Sequence, residues 1–133
     1  MTEPILAASA CIWRGGQVLL IKRGKLPGKD LWSLPGGKIE VGETAMEAAL
    51  RELFEETQVR ADLLYAMGPF EIRQGEVVTY MITCFAGLYV SGEALAGSDA
   101  AEVAWVYPQA LGALELSPNI AQTIEEVKKR LEF

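Results

Sequence analysis

Residues 44–57 constrain the fold more than any other part of the sequence, because they predict both a helix and the direction in which it faces. The segment is rich in Ala, Met, Leu and Glu, which favour helix. At 100° per residue, one side carries Met46, Leu50, Leu53 and Phe54. We therefore expect an amphipathic helix that packs this stripe against the core.

The same helix carries three glutamates that can act together. Glu52, Glu55 and Glu56 are related as i, i+3 and i+4, so their carboxylates fall within an arc of about 100°. Like charges at this spacing cost about 0.2–0.5 kcal/mol per pair, and attraction to a divalent cation would more than offset that. Carboxylate oxygens suit Mg²⁺, with Mn²⁺ as a substitute. A solvated acidic face is the alternative that the three residues alone leave open.

Neighbouring residues favour the metal site. Arg51 lies beside Glu52 and one turn before Glu55, where it can orient both carboxylates, and Glu47 lies one turn before Arg51. Upstream, Pro35-Gly36-Gly37 lets the backbone approach closely and expose a carbonyl to the same ion. The whole stretch is therefore expected to bind a metal ion.

Residues 37–59 resemble the signature of the Nudix hydrolases, Gly-x5-Glu-x7-Arg-Glu-U-x-Glu-Glu-x-Gly-U, where U is a bulky aliphatic residue. Residues 31–37 are also similar to the segment that usually precedes the signature. The positions that match are Gly37, Glu43, Arg51, Glu52, Leu53, Glu55, Glu56 and Val59.

The resemblance implies a fold, a reaction and a set of ligands. The fold is an α/β/α sandwich with a mixed sheet between helices. The reaction is attack by water on a phosphoanhydride bond in a nucleoside diphosphate linked to another group. Arg51 and Glu43 would orient the metal ligands, which would be Glu52, Glu55, Glu56 and the Gly36 carbonyl, holding one or more Mg²⁺ ions.

Other candidate residues are less constrained. Glu52 is one candidate for the general base, and Glu102 is another, because some relatives bring a further ligand or base from about that place. An exposed loop carboxylate is the alternative for Glu102. Arg23 and Lys38 could bind substrate phosphate, or could be plain surface cations.

The match has one departure, because Gln58 stands where the signature has glycine. Gln58 is expected where the helix ends. There it would adopt a left-handed conformation at a cost of about 1 kcal/mol, or end the helix differently. A modest effect on stability is expected, and not loss of activity.

Apolar runs bounded by turns predict the remaining elements. The last helix is expected to be capped by Ser117, with Pro118 in its first turn and a buried stripe of Ile120, Ile124, Val127 and Leu131. Strands are expected at 5–13, 18–22, 60–73, 77–90 and 103–107, with a short extended segment at 31–34 and a loop at 24–30.

Composition and charge limit the binding partners and the cellular location that can be expected. The chain has 133 residues, which fits a single domain spanning 1–133, and a net charge of −6. A duplex DNA binder would carry a basic patch, which these scattered cations do not predict. The N-terminal sequence lacks a basic leader region, and residues 5–13 are too short to cross a bilayer. A cytoplasmic protein is expected, with Cys11 and Cys84 as buried reduced thiols.

The sequence leaves the substrate open between nucleoside triphosphates and ADP-ribose-like nucleotide sugars. A nucleotide sensor that keeps the fold without hydrolysis is the alternative function, although a sensor would not need the complete set of carboxylates. An RNA-processing enzyme would want a more basic surface. The apolar strand at 77–90 favours a homodimer.

Overall fold

The computed structural model describes residues 3–26 and 28–131. Met1 and Thr2, on which the expectation about a leader partly rests, and Pro27 of the loop at 24–30 lie outside the described residues. The elements, in chain order, are β1 (Ile5–Arg14), β2 (Gln17–Arg23), β3 (Trp32–Ser33), β4 (Gly36–Lys38), α1 (Ala45–Thr57), β5 (Arg60–Gln74), β6 (Val77–Ser91), β7 (Ala100–Val106), a 3₁₀ helix (Pro108–Ala113) and α2 (Ile120–Leu131).

The sheet is mixed, as expected. The strand order is β3-β2-β1-β6-β5, with β4 paired to β1 and β7 paired to β2. β1 and β6 run parallel, whereas the other pairs are antiparallel. The strands predicted at 60–73 and 77–90 are confirmed as one long hairpin, β5–β6.

The alternation of side chains along β1 explains why α1 and α2 pack on opposite faces of the sheet. Successive side chains of a strand point to opposite faces. Ala8, Ala10 and Ile12 join the clusters that contain the buried residues of α1. Cys11 and Trp13 join the cluster with Ile124 and Val127 of α2. The sheet therefore lies between the two helices, which is the expected α/β/α sandwich.

The stripe predicted for α1 is wrong in part. Met46 and Leu50 are 48% and 37% exposed, while Leu53 is buried. The buried face of the helix also includes Ala48 and Ala49. These small side chains let the helix backbone approach β1, so the helix is turned away from the direction that the largest apolar residues indicated.

The start predicted for the last helix is also wrong. α2 begins at Ile120, after Asn119, whose φ is 69°. A residue in the left-handed region interrupts helical geometry, so Ser117 and Pro118 precede the helix. The buried residues Ile124 and Val127 are as expected.

The start of β7 and the structure of the glycine turn differ from expectation. β7 begins at Ala100, three residues before the predicted start, because pairing with β2 continues to Arg23. The glycine turn forms β4, which pairs with residues Ala7, Ala8 and Ser9 of β1. Both cysteines are buried and free, as predicted. No helix in the described part of the chain is long and apolar enough to cross a membrane.

Candidate active site

The first turn of α1 is fixed by its own side chains. Thr44 accepts a hydrogen bond from the Glu47 backbone N–H at 3.1 Å, and Glu47 accepts one from the Thr44 N–H at 2.9 Å. This reciprocal pair satisfies two donors that a helix start would otherwise leave open. Glu47, noted in the sequence for its distance from Arg51, therefore anchors the helix that carries the site.

Arg51 holds the acidic cluster together. Its Nε and Nη2 donate to the two carboxylate oxygens of Glu43 at 2.7 and 3.0 Å. Its Nη1 donates to Glu52 at 2.8 Å and reaches Glu55 at 3.4 Å, and Nη2 also donates to the Lys38 carbonyl at 3.0 Å. The hydrogen bonds with Glu43 hold the pKa of Arg51 well above its ordinary value, and those with Arg51 lower the pKa of Glu43. The guanidinium therefore remains charged among three carboxylates.

The Glu52 carboxylate lies against the backbone of Gly37. A Cβ added at Gly37 would lie 2.6 Å from Glu52 Cδ and Oε1. Glycine is thus required here because the carboxylate occupies the space of a side chain. Burial raises the pKa of Glu52, while the hydrogen bond from Arg51 opposes this rise.

Glu56 is a buried carboxylate with a backbone partner. Only 4% of the residue is exposed, and its Oε1 accepts a hydrogen bond from the Gly36 N–H at 2.8 Å. The pKa of Glu56 is raised to about 7 by burial, and this rise is only partly opposed by the Gly36 hydrogen bond and the charge of Arg23. An anion taken out of water costs free energy unless a cation or hydrogen bonds compensate it. Glu56 therefore favours the proton-bound form or a nearby cation.

These donors fit a hard divalent cation, although they are not gathered around one point. Among the described residues, no three Asp, Glu, Cys or His side chains form a ready-made metal cluster. Arg51 stands between Glu43, Glu52 and Glu55 instead. The under-compensated Glu56 carboxylate and the oxygen donor set both suit Mg²⁺ or Mn²⁺. Gly36 meets the cluster through its N–H, and the ligand role of its carbonyl stays a prediction.

A cavity of about 720 Å³ opens beside the cluster. Glu52, Glu56, Gly36 and Gly37 line it, together with the predicted phosphate binders Arg23 and Lys38. Two cross-strand pairs of the β5–β6 hairpin form an apolar wall, Phe70 with Ile82 and Ile72 with Tyr80. The volume of the cavity lies within the range of ligand sites, about 300–1,000 Å³.

Glu102 lies away from this cavity. It pairs with Lys22 at 3.3 Å, its side chain is 58% exposed, and it is not among the lining residues. Asp99, three residues earlier, does line the cavity, and its Oδ1 contacts Lys25 Nζ at 2.9 Å. The charge of Asp99 also contributes to raising the pKa values of Glu52 and Glu56. The sequence pointed to residues around the start of β7. It could not show which of them face the cavity, because the pairing of β7 with β2 directs Glu102 toward Lys22 and this register is not visible in the sequence.

Comparison with known proteins identifies the family. The model of the NUDIX domain matches residues 3–128. The chain belongs to the Nudix family.

Relatives agree with this membership. A Bacillus subtilis protein, provisionally named an 8-oxo-dGTP diphosphatase, is 37% identical over 113 residues, covering 84% of this chain and 71% of that protein. An ADP-ribose pyrophosphatase of Methanocaldococcus jannaschii is 37% identical over 104 residues, covering 75% of this chain and 60% of that protein. These names confirm the predicted reaction class of a Nudix pyrophosphohydrolase.

A solved structure confirms the fold. The bifunctional NMN adenylyltransferase/ADP-ribose pyrophosphatase of Francisella tularensis, crystallised with AMP and a Mn ion, superposes with a TM-score of 0.81 at 25% identity. The match covers 98% of this chain and 42% of that protein. The chain therefore corresponds to less than half of that larger enzyme.

Proposed function

We propose that this Nudix hydrolase uses Mg²⁺, with Mn²⁺ as a substitute, to cleave a phosphoanhydride bond in a nucleoside triphosphate or an ADP-ribose-like nucleotide sugar. The observation that carries the proposal is the buried Glu56 carboxylate, hydrogen-bonded to the glycine turn and 4% exposed, at the edge of a nucleotide-sized cavity. A stable fold has no need of a carboxylate whose pKa is raised to about 7.

Glu52, Glu55, Glu56 and the Gly36 carbonyl would hold the metal ion. Bound there, the ion would supply Lewis-acid neutralisation of the phosphate charge. Arg51 keeps Glu52 and Glu55 oriented, and Glu43 in turn keeps Arg51 in place through two hydrogen bonds. Pre-set donors of this kind cost no reorganisation during the reaction.

Cations on the β2 side of the cavity suit the phosphates. Arg23 is close enough to Glu56 to lower its pKa, and Lys25 and Lys38 also line the cavity. The nucleoside would lie against the apolar wall of the β5–β6 hairpin, defined above. Phosphates and base thus meet surfaces of matching chemistry.

Two carboxylates near the start of β7 are candidates for the base: Asp99 precedes the strand, and Glu102 lies within it. Glu102 is the residue expected from the sequence, and Asp99 is the one that lines the cavity. Since a base must come within hydrogen-bond reach of the attacking water, we propose Asp99 as the better candidate of these two, alongside Glu52 on the helix. Asp99→Asn and Glu102→Gln make the same change of charge, so a larger loss of kcat in Asp99→Asn supports this proposal. A larger loss in Glu102→Gln contradicts it.

The test of the function is release of phosphate or pyrophosphate from a panel of nucleoside triphosphates, dinucleoside polyphosphates, ADP-ribose and nucleotide sugars, with Mg²⁺ and with Mn²⁺. Glu56→Gln keeps an acceptor for the Gly36 N–H and should lose most turnover. Glu93→Gln changes an exposed carboxylate outside the cavity and should behave as wild type. Binding of a nucleotide without any turnover would instead indicate the sensor.

We also propose that the protein is a homodimer and lies in the cytoplasm. We further propose that it binds neither duplex nucleic acid nor membranes. Leu88 and Val90 of β6 are 39% and 54% exposed, which supports a contact between copies. Sedimentation that shows only monomer at micromolar concentration would remove the dimer. The net charge of −6 supports the absence of a nucleic-acid partner.

A further inference from the structure

The side chains of Lys25 and Asp99 form an ion pair at the wall of the main cavity. Lys25 Nζ lies 2.9 Å from Asp99 Oδ1, and both residues line the cavity. The hydrogen bond and the charge of Asp99 raise the pKa of Lys25, so its ammonium remains charged. A cation that could bind substrate phosphate is thus held by a carboxylate that we propose as a base.

The backbone on both sides of this ion pair is fixed. The Gly24 N–H donates a hydrogen bond to the Asp99 carbonyl at 2.9 Å, which joins the end of β2 to the loop before β7. Glycine is required at position 24, because a Cβ there would lie 2.8 Å from the Asp99 carbonyl oxygen. Lys25 and Asp99 therefore stay neighbours whatever their side chains contact.

The loop before β7 is also anchored to the helix that carries the glutamates. The Gly97 N–H donates to the Glu56 carbonyl at 3.0 Å and so satisfies an acceptor that a helix end would otherwise leave open. A Cβ at Gly97 would lie 2.6 Å from the Glu55 carbonyl oxygen, so the loop lies directly against the helix. These contacts hold the backbone of Asp99 in place relative to the proposed metal ligands.

The side chains of the pair, in contrast, can change partners. Those of Lys25 and Asp99 are 72% and 59% exposed, and exposed ion pairs add little to stability. A lysine ammonium is a compact charge on a flexible stem, and exposed side chains change rotamer within nanoseconds. A stronger anion in the cavity can therefore draw Lys25 away from Asp99 at little cost.

Substrate phosphate is such an anion. A terminal phosphate carries about two negative charges and offers three acceptor oxygens, and its attraction for an ammonium grows with its charge. The charge of Asp99 contributes to raising the pKa values of Glu52 and Glu56, so the ion pair lies within electrostatic range of the glutamate cluster. A phosphate bound at that cluster would come close to Lys25.

We propose that Lys25 is a substrate-responsive residue, which contacts Asp99 in the free protein and moves to a phosphate oxygen when substrate binds. Its departure leaves the Asp99 carboxylate open to the attacking water. A base must contact that water, and the ammonium occupies the space beside the carboxylate until phosphate arrives. Asp99 therefore becomes available only with substrate in the cavity. This inference rests on the proposed function and on Asp99 as its base.

Calorimetric titration with inorganic pyrophosphate and Mg²⁺ tests this exchange without turnover. Lys25→Gln should weaken binding about tenfold, the loss typical of a hydrogen bond to a charged group, whereas Lys25→Arg should keep it within about threefold of wild type. Asp99→Asn should tighten binding, because Lys25 no longer has to leave a carboxylate. This tightening should be about twofold to fivefold larger with Lys25 present than in the Lys25→Gln background.

Glu102→Gln is the matched control for charge. It removes the same charge three residues further along, from a side chain that pairs with Lys22 and does not line the cavity. Its effect on pyrophosphate binding should be the same with and without Lys25. Equal affinity of wild type and Lys25→Gln for pyrophosphate, or an equal effect of Asp99→Asn in both backgrounds, would overturn the inference.

Steady-state hydrolysis of the panel substrate with the highest kcat/KM distinguishes this exchange from a merely structural ion pair. Lys25→Gln should raise KM about tenfold with kcat close to wild type, because Asp99 is then always open. Asp99→Asn should lower kcat instead. A fall in kcat as large in Lys25→Gln as in Asp99→Asn would contradict the inference. If nothing is hydrolysed but the coupling in pyrophosphate binding holds, the proposed function is refuted and the exchange of Lys25 between carboxylate and phosphate stands.

Discussion

Alanine at Gly37 should damage catalysis while leaving the fold intact. The added Cβ would lie 2.6 Å from Glu52 Cδ and Oε1, whereas carbon atoms in contact are about 3.5–4.0 Å apart. The Glu52 carboxylate must therefore move by about 1 Å, away from its position 2.8 Å from Arg51 Nη1. Because the obstacle is the end of a flexible side chain, this movement should change the free energy of unfolding by less than about 1 kcal/mol. Displacing a proposed metal ligand should lower kcat about tenfold to a hundredfold.

Alanine at Gly36 should give the opposite result. Its Cβ would lie 2.5 Å from the Ala8 carbonyl oxygen and 2.8 Å from Ser9 Cα. These atoms belong to the backbone of β1, so β4 would have to separate from β1. A loss of about 3 kcal/mol in the free energy of unfolding is expected, with activity lost through the fold.

Urea unfolding and steady-state hydrolysis, measured on both variants, separate the two effects. Gly112→Ala is the control, because a Cβ there meets nothing within 4 Å. Wild-type kcat in Gly37→Ala would show that the contact between Glu52 and Gly37 has no part in the reaction. Equal destabilisation by Gly36→Ala and Gly37→Ala would refute the distinction between a movable side chain and a fixed strand.

Three further predictions use the same assays. Gln58 is the C-cap residue of α1, with φ 64°. Gln58→Gly should therefore raise the free energy of unfolding by about 1 kcal/mol and change kcat less than tenfold. A larger rise in kcat would show that glutamine in place of the signature glycine affects function. A lysine at position 51 cannot replace both hydrogen bonds to Glu43 and the one to Glu52. Arg51→Lys should therefore lower kcat about tenfold to a hundredfold. An unchanged kcat would contradict the role of Arg51 in orienting these carboxylates. The pKa of Glu56 is about 7 in the folded protein against an ordinary 4.5, so the folded state binds the extra proton between these values. Stability of the metal-free protein should therefore fall by roughly 3 kcal/mol as pH rises through this window, and Glu56→Gln should remove that fall when unfolding is followed in chelator at pH 5 and pH 8.

Spacing along the sequence predicted the contacts within α1 better than the contacts between elements. It was enough to place Arg51 beside Glu52 and Glu55, since all three lie within two turns of one helix, while their metal-binding role stays a prediction. The left-handed conformation of Gln58 was one of the two alternatives expected at the helix end, and the structure shows it, with φ 64°. By contrast, Asp99 enters the cavity through the pairing of β7 with β2, and no local pattern specifies that register.

The error in the α1 stripe follows from the site itself. Periodicity assumes that the largest apolar residues turn inward, which would bury Met46 and Leu50. The helix instead turns Glu56 toward the Gly36 N–H, and Ala48 and Ala49 allow it to approach β1 closely on that side. Burying a carboxylate in place of two large apolar side chains sacrifices hydrophobic stabilisation. The arrangement therefore brings a carboxylate to the glycine turn at the expense of core packing, and a sequence pattern that counts only apolar residues must misjudge the direction of such a helix.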